Sequence, residues 1–344
     1  MRFIDLSSDG GCSQKASPAE LNALLSGVAS ATGLPDFQGM PDKLPDVGLF
    51  NVEGIQIVSS LDIIYPMVDS PAFFGRIVVN HVLNDIYAAL SRPLFALCIL
   101  GVPKGIAAND PMIVEMLSAA ASGMTADFAS IVGGQTLAHQ ANLSLGFSVV
   151  GCPLTKTHEA AAPAIGDSIL LTKRLGSSIA SLRWKLGEAS TQEHEDVLIG
   201  MLQSNRLTAI AAAGNRVKYC TDISGFGFVN NLHALTVRAC VAVQIQARTL
   251  PIYESVKPFI NEDMLCTRQM LHNVDFSNDS GVARGTLSDA GNAAWYDAQT
   301  AGGLLLICPR QFELPLLEEL RGNDIEVCKI GIVSDVDSQG LAFI

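Results

Sequence analysis

Positive charge is scarce in this chain. Lys and Arg number 22 against 34 Asp and Glu, a formal net charge of −12 over 344 residues. No basic run occurs, which argues against nucleic acid as a partner. Charged residues of both signs make up only 16%, and hydrophobic residues 49%. Yet no apolar run approaches the roughly 20 residues that span a bilayer. The strongest, Leu94 to Val102, lies between Pro93 and Pro103 and reads as a strand buried on both faces. Cysteine pairs are also missing. The eight cysteines stand singly, with no C-x-x-C, so neither a zinc site nor a redox pair is indicated. The N-terminal stretch carries Asp5 and Asp9 and no apolar core of signal-peptide type. These features place the protein in the reducing cytoplasm, with no membrane partner.

What is present alternates between strand-like and helix-like stretches, giving a mixed α/β chain. Strands are expected at Val47–Asn51, Ile55–Ser59, 94–102 and 143–151, with helices near 72–90 and 110–128. Further strands are expected at Ser168–Thr172, Tyr219–Ile223, Gly302–Cys308 and Ile325–Val333, and a long helical region over 176–218 with breaks at Gly187 and Gly214. Residues 250–295 are the least periodic. The organisation reads as an N-terminal segment 1–45 with one helix near 18–32, an α/β domain over 46–155 and a second over 156–344.

The segment Asp9-Gly10-Gly11-Cys12-Ser13-Gln14-Lys15-Ala16-Ser17-Pro18 places a cysteine three residues before a lysine, after two glycines. Ser17-Pro18 reads as a helix N-cap and first turn, so Cys12 and Lys15 fall on a flexible Gly-rich loop ahead of it. An ammonium beside a thiol favours the nucleophilic thiolate; an ordinary N-terminus with a solvated lysine remains the alternative. Asp46, Asp62, Asp85 and Asp222 each border or interrupt an apolar stretch. As a set, without a matching cluster of cations, they suggest Mg²⁺ held with substrate phosphates; singly, each reads as a cap or turn residue. Gly133-Gly134-Gln135 and Gly302-Gly303 read as tight turns able to bring backbone N–H groups to phosphate.

The blocks GGCSQKASP, SSLD, FGRI…NDIYA…RP, VGGQT, LTKRLGSS, TDISGFGF and DAQTAGGLLL, in this order from about residue 9 to 333, resemble the selenophosphate synthetases (selenide, water dikinases) of the aminoimidazole-ribonucleotide-synthetase-like superfamily. The resemblance implies two α/β domains with a glycine-rich N-terminal loop closing over the phosphates. It implies conversion of ATP, selenide and water to selenophosphate, AMP and phosphate. Cys12 and Lys15 match the catalytic pair, and Asp46, Asp85 and Asp222 the Mg²⁺-binding aspartates. Asp62, Gly133, Gly134 and Gln135 match nucleotide contacts, to which Lys15 and Asp85 also belong. A homodimer through N-terminal-domain strands is implied, and a selenium-delivery protein is a candidate partner.

The chain departs from the family pattern at several points. Ser60-Leu61-Asp62 stands for Thr-Thr-Asp, Gln135 for a histidine, and His139-Gln140-Ala141-Asn142 where Glu-Pro often follows. His81 aligns with an asparagine, Asp297-Ala298-Gln299-Thr300-Ala301 with Asp-Pro-Gln-Thr-Ser, and Asn230-Asn231 with Gly-His. Two rival readings are another ATP-using enzyme of the superfamily, a kinase or amidine-forming ligase, and a catalytically weak regulatory paralogue.

Overall fold

The computed structural model describes residues 2–7, 10–11, 20, 23–24, 47–155, 162–259, 267–279, 293–334 and 341–343. Cys12, Lys15, Asp46 and most of the helix expected at 18–32 lie outside them; Glu20, Ala23 and Leu24 are helical.

β1 (Gly48–Val52), β2 (Ile55–Ile64), β3 (Ser91–Pro103), β4 (Ser130–Gln140) and β5 (Ser144–Pro153) form one sheet in the order β1-β2-β5-β3-β4. Only β3 and β4 run parallel. The β1–β2 hairpin turns on Glu53 and Gly54, whose φ values of 51° and 83° both suit a two-residue turn that matches strand twist. Two helices cover one face, α1 (Pro71–Ala88) and α2 (Pro111–Ala126). Both start as the sequence dictates, with a proline in the first turn and a capping side chain. The Ser70 hydroxyl accepts from Phe73 N at 3.3 Å, and the Asp110 carboxylate from Met112 N at 3.0 Å. Beneath them Ile64, Ala96, Leu100, Phe147 and Val149 are fully buried or nearly so.

The other face of this sheet is open. Phe50, Leu61 and Leu97 are 60%, 55% and 44% exposed, and Phe95 and Val132 are exposed beside them. The expectation that 94–102 is buried on both faces is therefore corrected. Its alternate residues Phe95 and Leu97 face away from the helices, and no element of the described chain covers them. A second correction concerns Gly133-Gly134-Gln135. These residues form no tight turn but the middle of β4, paired with Leu97, Cys98 and Ile99. A Cβ at Gly134 would collide with the Cys98 carbonyl, so glycine here serves close strand packing.

The second sheet contains β6 (Ser168–Thr172), β7 (Tyr219–Asp222), β8 (Ala242–Ile245), β9 (Leu304–Cys308), β10 (Val327–Ser334) and β11 (Leu341–Phe343), ordered β11-β8-β10-β6-β9-β7. Its helices are α3 (Ser177–Leu186), α4 (Thr191–Leu202), α5 (Arg206–Gly214), α6 (Gly227–Ala239), α7 (Arg268–Asp279), the single turn α8 (Ala293–Tyr296) and α9 (Glu313–Gly322). Every residue of β6 and β9 is buried. The region 176–218 breaks at Gly187, as expected, and also at 203–205, while Gly214 closes α5. β4, β8, β11 and α9 were not foreseen; β8 and β11 have four and three residues, too few to show a period.

Side chains of α1 fasten the first sheet to the second half. Asn80 donates to the Met201 carbonyl at 2.9 Å, and Tyr87 donates to Asp127 at 2.8 Å, which also accepts from Ser204 at 2.8 Å.

Candidate active site

Two periodicities set the candidate carboxylates face to face. Along β2, residues two apart share a side of the sheet, so Ser60 and Asp62 both point toward α1. Along α1, residues four apart share a flank, so His81 and Asp85 both point back at β2. The Ser60 hydroxyl donates to the Asp85 carboxylate, and His81 Nε2 lies 3.6 Å from Asp62 Oδ2. Asp85 is half-buried, Asp62 is 9% exposed and His81 1%. Thus serine, standing where the family carries a threonine, keeps a hydroxyl on the candidate metal ligand.

The opposite wall is the turn before β9. Asn84 Nδ2 donates to the Gly302 carbonyl at 3.1 Å, and Asn205 Nδ2 donates to the same oxygen and to Asn84 Oδ1, both at 2.8 Å. Ala301 N donates to His81 Nδ1 at 3.2 Å, while its carbonyl accepts from Lys173 Nζ at 2.9 Å. Thr300 N donates to the Ser177 hydroxyl at 3.0 Å, and Ile223 N to the Gly303 carbonyl at 2.9 Å. Five parts of the chain so hold one turn whose Ala301 has φ of 50°, a conformation that costs an alanine free energy. Asp222, 1% exposed at the end of β7, precedes Ile223 and pairs in register with Leu304. The elements that carry Asp85 and Asp222, α1 and β7, both reach this turn through neighbouring residues and pack together.

The N-terminal segment enters here. Gly11 N donates to the Tyr65 carbonyl at 2.9 Å, and Tyr65 N returns a bond at 3.4 Å. A Cβ on Gly11, whose φ is 60°, would collide with the Thr300 hydroxyl. The residue joined to Cys12 thus rests on the turn that α1 holds.

Not every candidate converges. Gly134 shares a row across the sheet with Asp62, through Phe147 and Cys98, but three strand spacings separate them, about 14 Å. Among the described residues no three His, Cys, Asp or Glu side chains stand in a metal-holding group; Asp46 lies outside those residues.

Two buried titratable groups at this end were not foreseen. Burial pulls the Lys173 ammonium down to about 7, and it donates to the Gln203 carbonyl at 2.7 Å as well as to Ala301. Burial pushes the Asp297 carboxyl up to about 7, against the opposing effect of the Ile179 and Ser178 N–H groups, which donate to Oδ2. With Gln299, which accepts from Gly176 N and Ser177 N at 3.0 and 3.1 Å, Asp297 caps α3. Their signals were a lysine directly after the apolar run SILLT and the block DAQTAGG.

The chain matches two family models, the N-terminal domain of AIR synthase related protein over residues 45–152 and the C-terminal domain over residues 164–343. The chain belongs to the AIR synthase related protein family. Among curated relatives, a selenide, water dikinase from Geobacter metallireducens is 27% identical over 337 residues, covering 96% of each chain. Among solved structures, the thiamine monophosphate kinase of Aquifex aeolicus aligns with a TM-score of 0.66 at 15% identity, covering 93% of this chain and 96% of that one. Hydrogenase maturation protein HypE in complex with ATP aligns with a TM-score of 0.59 at 18% identity, covering 100% and 94%. These likenesses establish the fold expected from the sequence, two α/β units of the AIR synthase type.

Proposed function

We propose that the protein is a selenide, water dikinase, which converts ATP, selenide and water to selenophosphate, AMP and phosphate. The observation that carries this reading is the end-to-end likeness to curated selenide, water dikinases. The site geometry supports it, because Gly11, joined to Cys12, is seated on the turn beside the aspartate-bearing elements. In the proposal Cys12 handles the selenium species and Lys15 contacts the phosphates, a task suited to a flexible point charge. Asp62, Gly133, Gly134 and Gln135 contact nucleotide, and Asp85 serves both nucleotide and metal. Asp46, Asp85 and Asp222 would hold Mg²⁺, for which carboxylate oxygens are the fitting donors. When bound, the ion neutralises charge on the transferring phosphoryl group. The Ser60 hydroxyl fixes the Asp85 carboxylate, and the seated glycines let the N-terminal segment close and exclude water.

The division into a loop at 1–45 and domains at 46–155 and 156–344 is part of the proposal, as is a cytoplasmic site of action. No helix among the described residues is long and apolar enough to cross a membrane. The uncovered apolar face of the first sheet supports a homodimer, since a second copy offers the self-complementary apolar surface that face requires. A selenium-delivery protein remains a proposed partner.

The test is ATP consumption with and without selenide. Wild-type protein should release AMP in a selenide-dependent way, and Lys15→Ala should abolish turnover. Cys12→Ser should lose selenophosphate formation yet retain part of the ATP hydrolysis, because lysine and carboxylates remain. Wild-type synthesis by Cys12→Ser would overturn the role given to the cysteine. ADP as the final nucleotide, formed without regard to selenide, would favour another kinase of the family.

A further inference from the structure

His81 touches both walls of the site. Its Nδ1 accepts from Ala301 N at 3.2 Å, so that nitrogen carries no proton. The ring proton of the neutral imidazole then sits on Nε2, which faces Asp62 Oδ2 at 3.6 Å. The ring is 1% exposed, which leaves it no freedom to turn away. Ala301 itself has φ of 50°, a conformation that persists only under external restraint. Against Thr300, its neighbour in the same turn, rests Gly11.

We propose that His81 is a positioning residue that links Asp62 on β2 to the Thr300–Gly303 turn, and so sets the seat of the N-terminal segment relative to the nucleotide-binding wall. The inference rests on the function proposed above and deepens it. One imidazole makes two contacts that no shorter or unbranched side chain makes together. Asparagine places its Oδ1 where Nδ1 lies and so keeps the Ala301 bond, but cannot reach Asp62. Glutamine places its Nε2 where the imidazole Nε2 lies and so keeps Asp62, but offers no acceptor to Ala301.

The experiment compares His81→Asn, His81→Gln and His81→Ala by steady-state kinetics in ATP and by hydrogen exchange at the Ala301 amide. In His81→Asn, kcat should stay within threefold of wild type, the KM for ATP should rise fivefold or more, and Ala301 protection should remain. In His81→Gln, kcat should fall tenfold or more with KM within threefold, and Ala301 should exchange at least tenfold faster. His81→Ala should show both defects. Asn and Gln variants sharing one phenotype, or all three losing thermal stability with kcat and KM unchanged, would overturn the proposal. The exchange measurement needs no turnover. If the wild-type protein makes no selenophosphate, the functional reading fails while the split in Ala301 protection still decides whether His81 holds the turn.

Discussion

The two sheets share a sequence signal and differ in what covers them. Leu94–Val102 and Leu304–Cys308 are both short runs of large apolar residues. The second run becomes β9, buried at every position between layers of its own chain. The first becomes part of β3, where Phe95 and Leu97 lie on an uncovered face with Phe50 and Leu61. The hydrophobic run records that a strand is to be buried, without recording by which molecule. The second half closes its core by itself, and the first presents a face that a second copy would complete.

The widest difference should come from placing a charge in each sheet. Leu306→Asp, in β9, buries an unpaired carboxylate and should prevent accumulation of folded protein. Leu97→Asp, in β3, should leave the circular dichroism spectrum unchanged and turn the proposed dimer into a monomer by light scattering at micromolar concentration. A wild-type monomer under those conditions, or an unfolded Leu97→Asp protein, would break the comparison.

Truncation gives a smaller version of the same contrast. Leu306→Ala should cost about 2–5 kcal/mol in denaturant unfolding. Leu97→Ala should cost less than about 1 kcal/mol in a Leu61→Asp background, where a charge on the same open face keeps the protein monomeric, because little area is lost from that face.

Buried charge sharpens the comparison further, since Lys173 and Asp297 both belong to the second half. The folded-state pKa of Asp297 is raised to about 7. Folded protein therefore holds a proton that unfolded chain releases, and this contribution to stability is lost as pH rises from about 4 to about 7. The folded-state pKa of Lys173 is lowered to about 7. Its contribution is present at high pH and is lost as pH falls from about 10 to about 7. Urea titrations should show the falling limb flattened in Asp297→Asn and the rising limb flattened in Lys173→Met, each relative to wild type. Limbs unchanged in the variants would remove both residues from the account.

A single hydrogen bond is at stake at the joint between the halves. Tyr87→Phe removes one donor to the buried Asp127 carboxylate, which keeps Ser204. It should cost about 1–2 kcal/mol by thermal unfolding.

Much of this was legible in the sequence where pattern and spacing are local. Ser70-Pro71 and Asp110-Pro111 announced α1 and α2, and SILLT and GGLLLIC announced β6 and β9. Asp62, Asp85 and Asp222 were legible as candidates because carboxylates next to apolar runs demand an explanation. The pairings Ser60–Asp85 and His81–Asp62 were not, since they depend on how β2 crosses α1, which no spacing encodes. Gly133-Gly134 misled because glycine marks close backbone approach as well as turns, and the approach is to β3. Lys173 and Asp297 were visible within quoted blocks, but their burial arises from packing between α3, the 299–303 turn and the helices beyond.

The central claim is the selenide, water dikinase activity, and phosphorus NMR of the wild-type protein with ATP, Mg²⁺ and selenide tests it most directly. The account predicts a selenophosphate resonance that appears together with AMP and inorganic phosphate in equal amounts. Complete consumption of ATP in the presence of selenide with no selenophosphate resonance would contradict it.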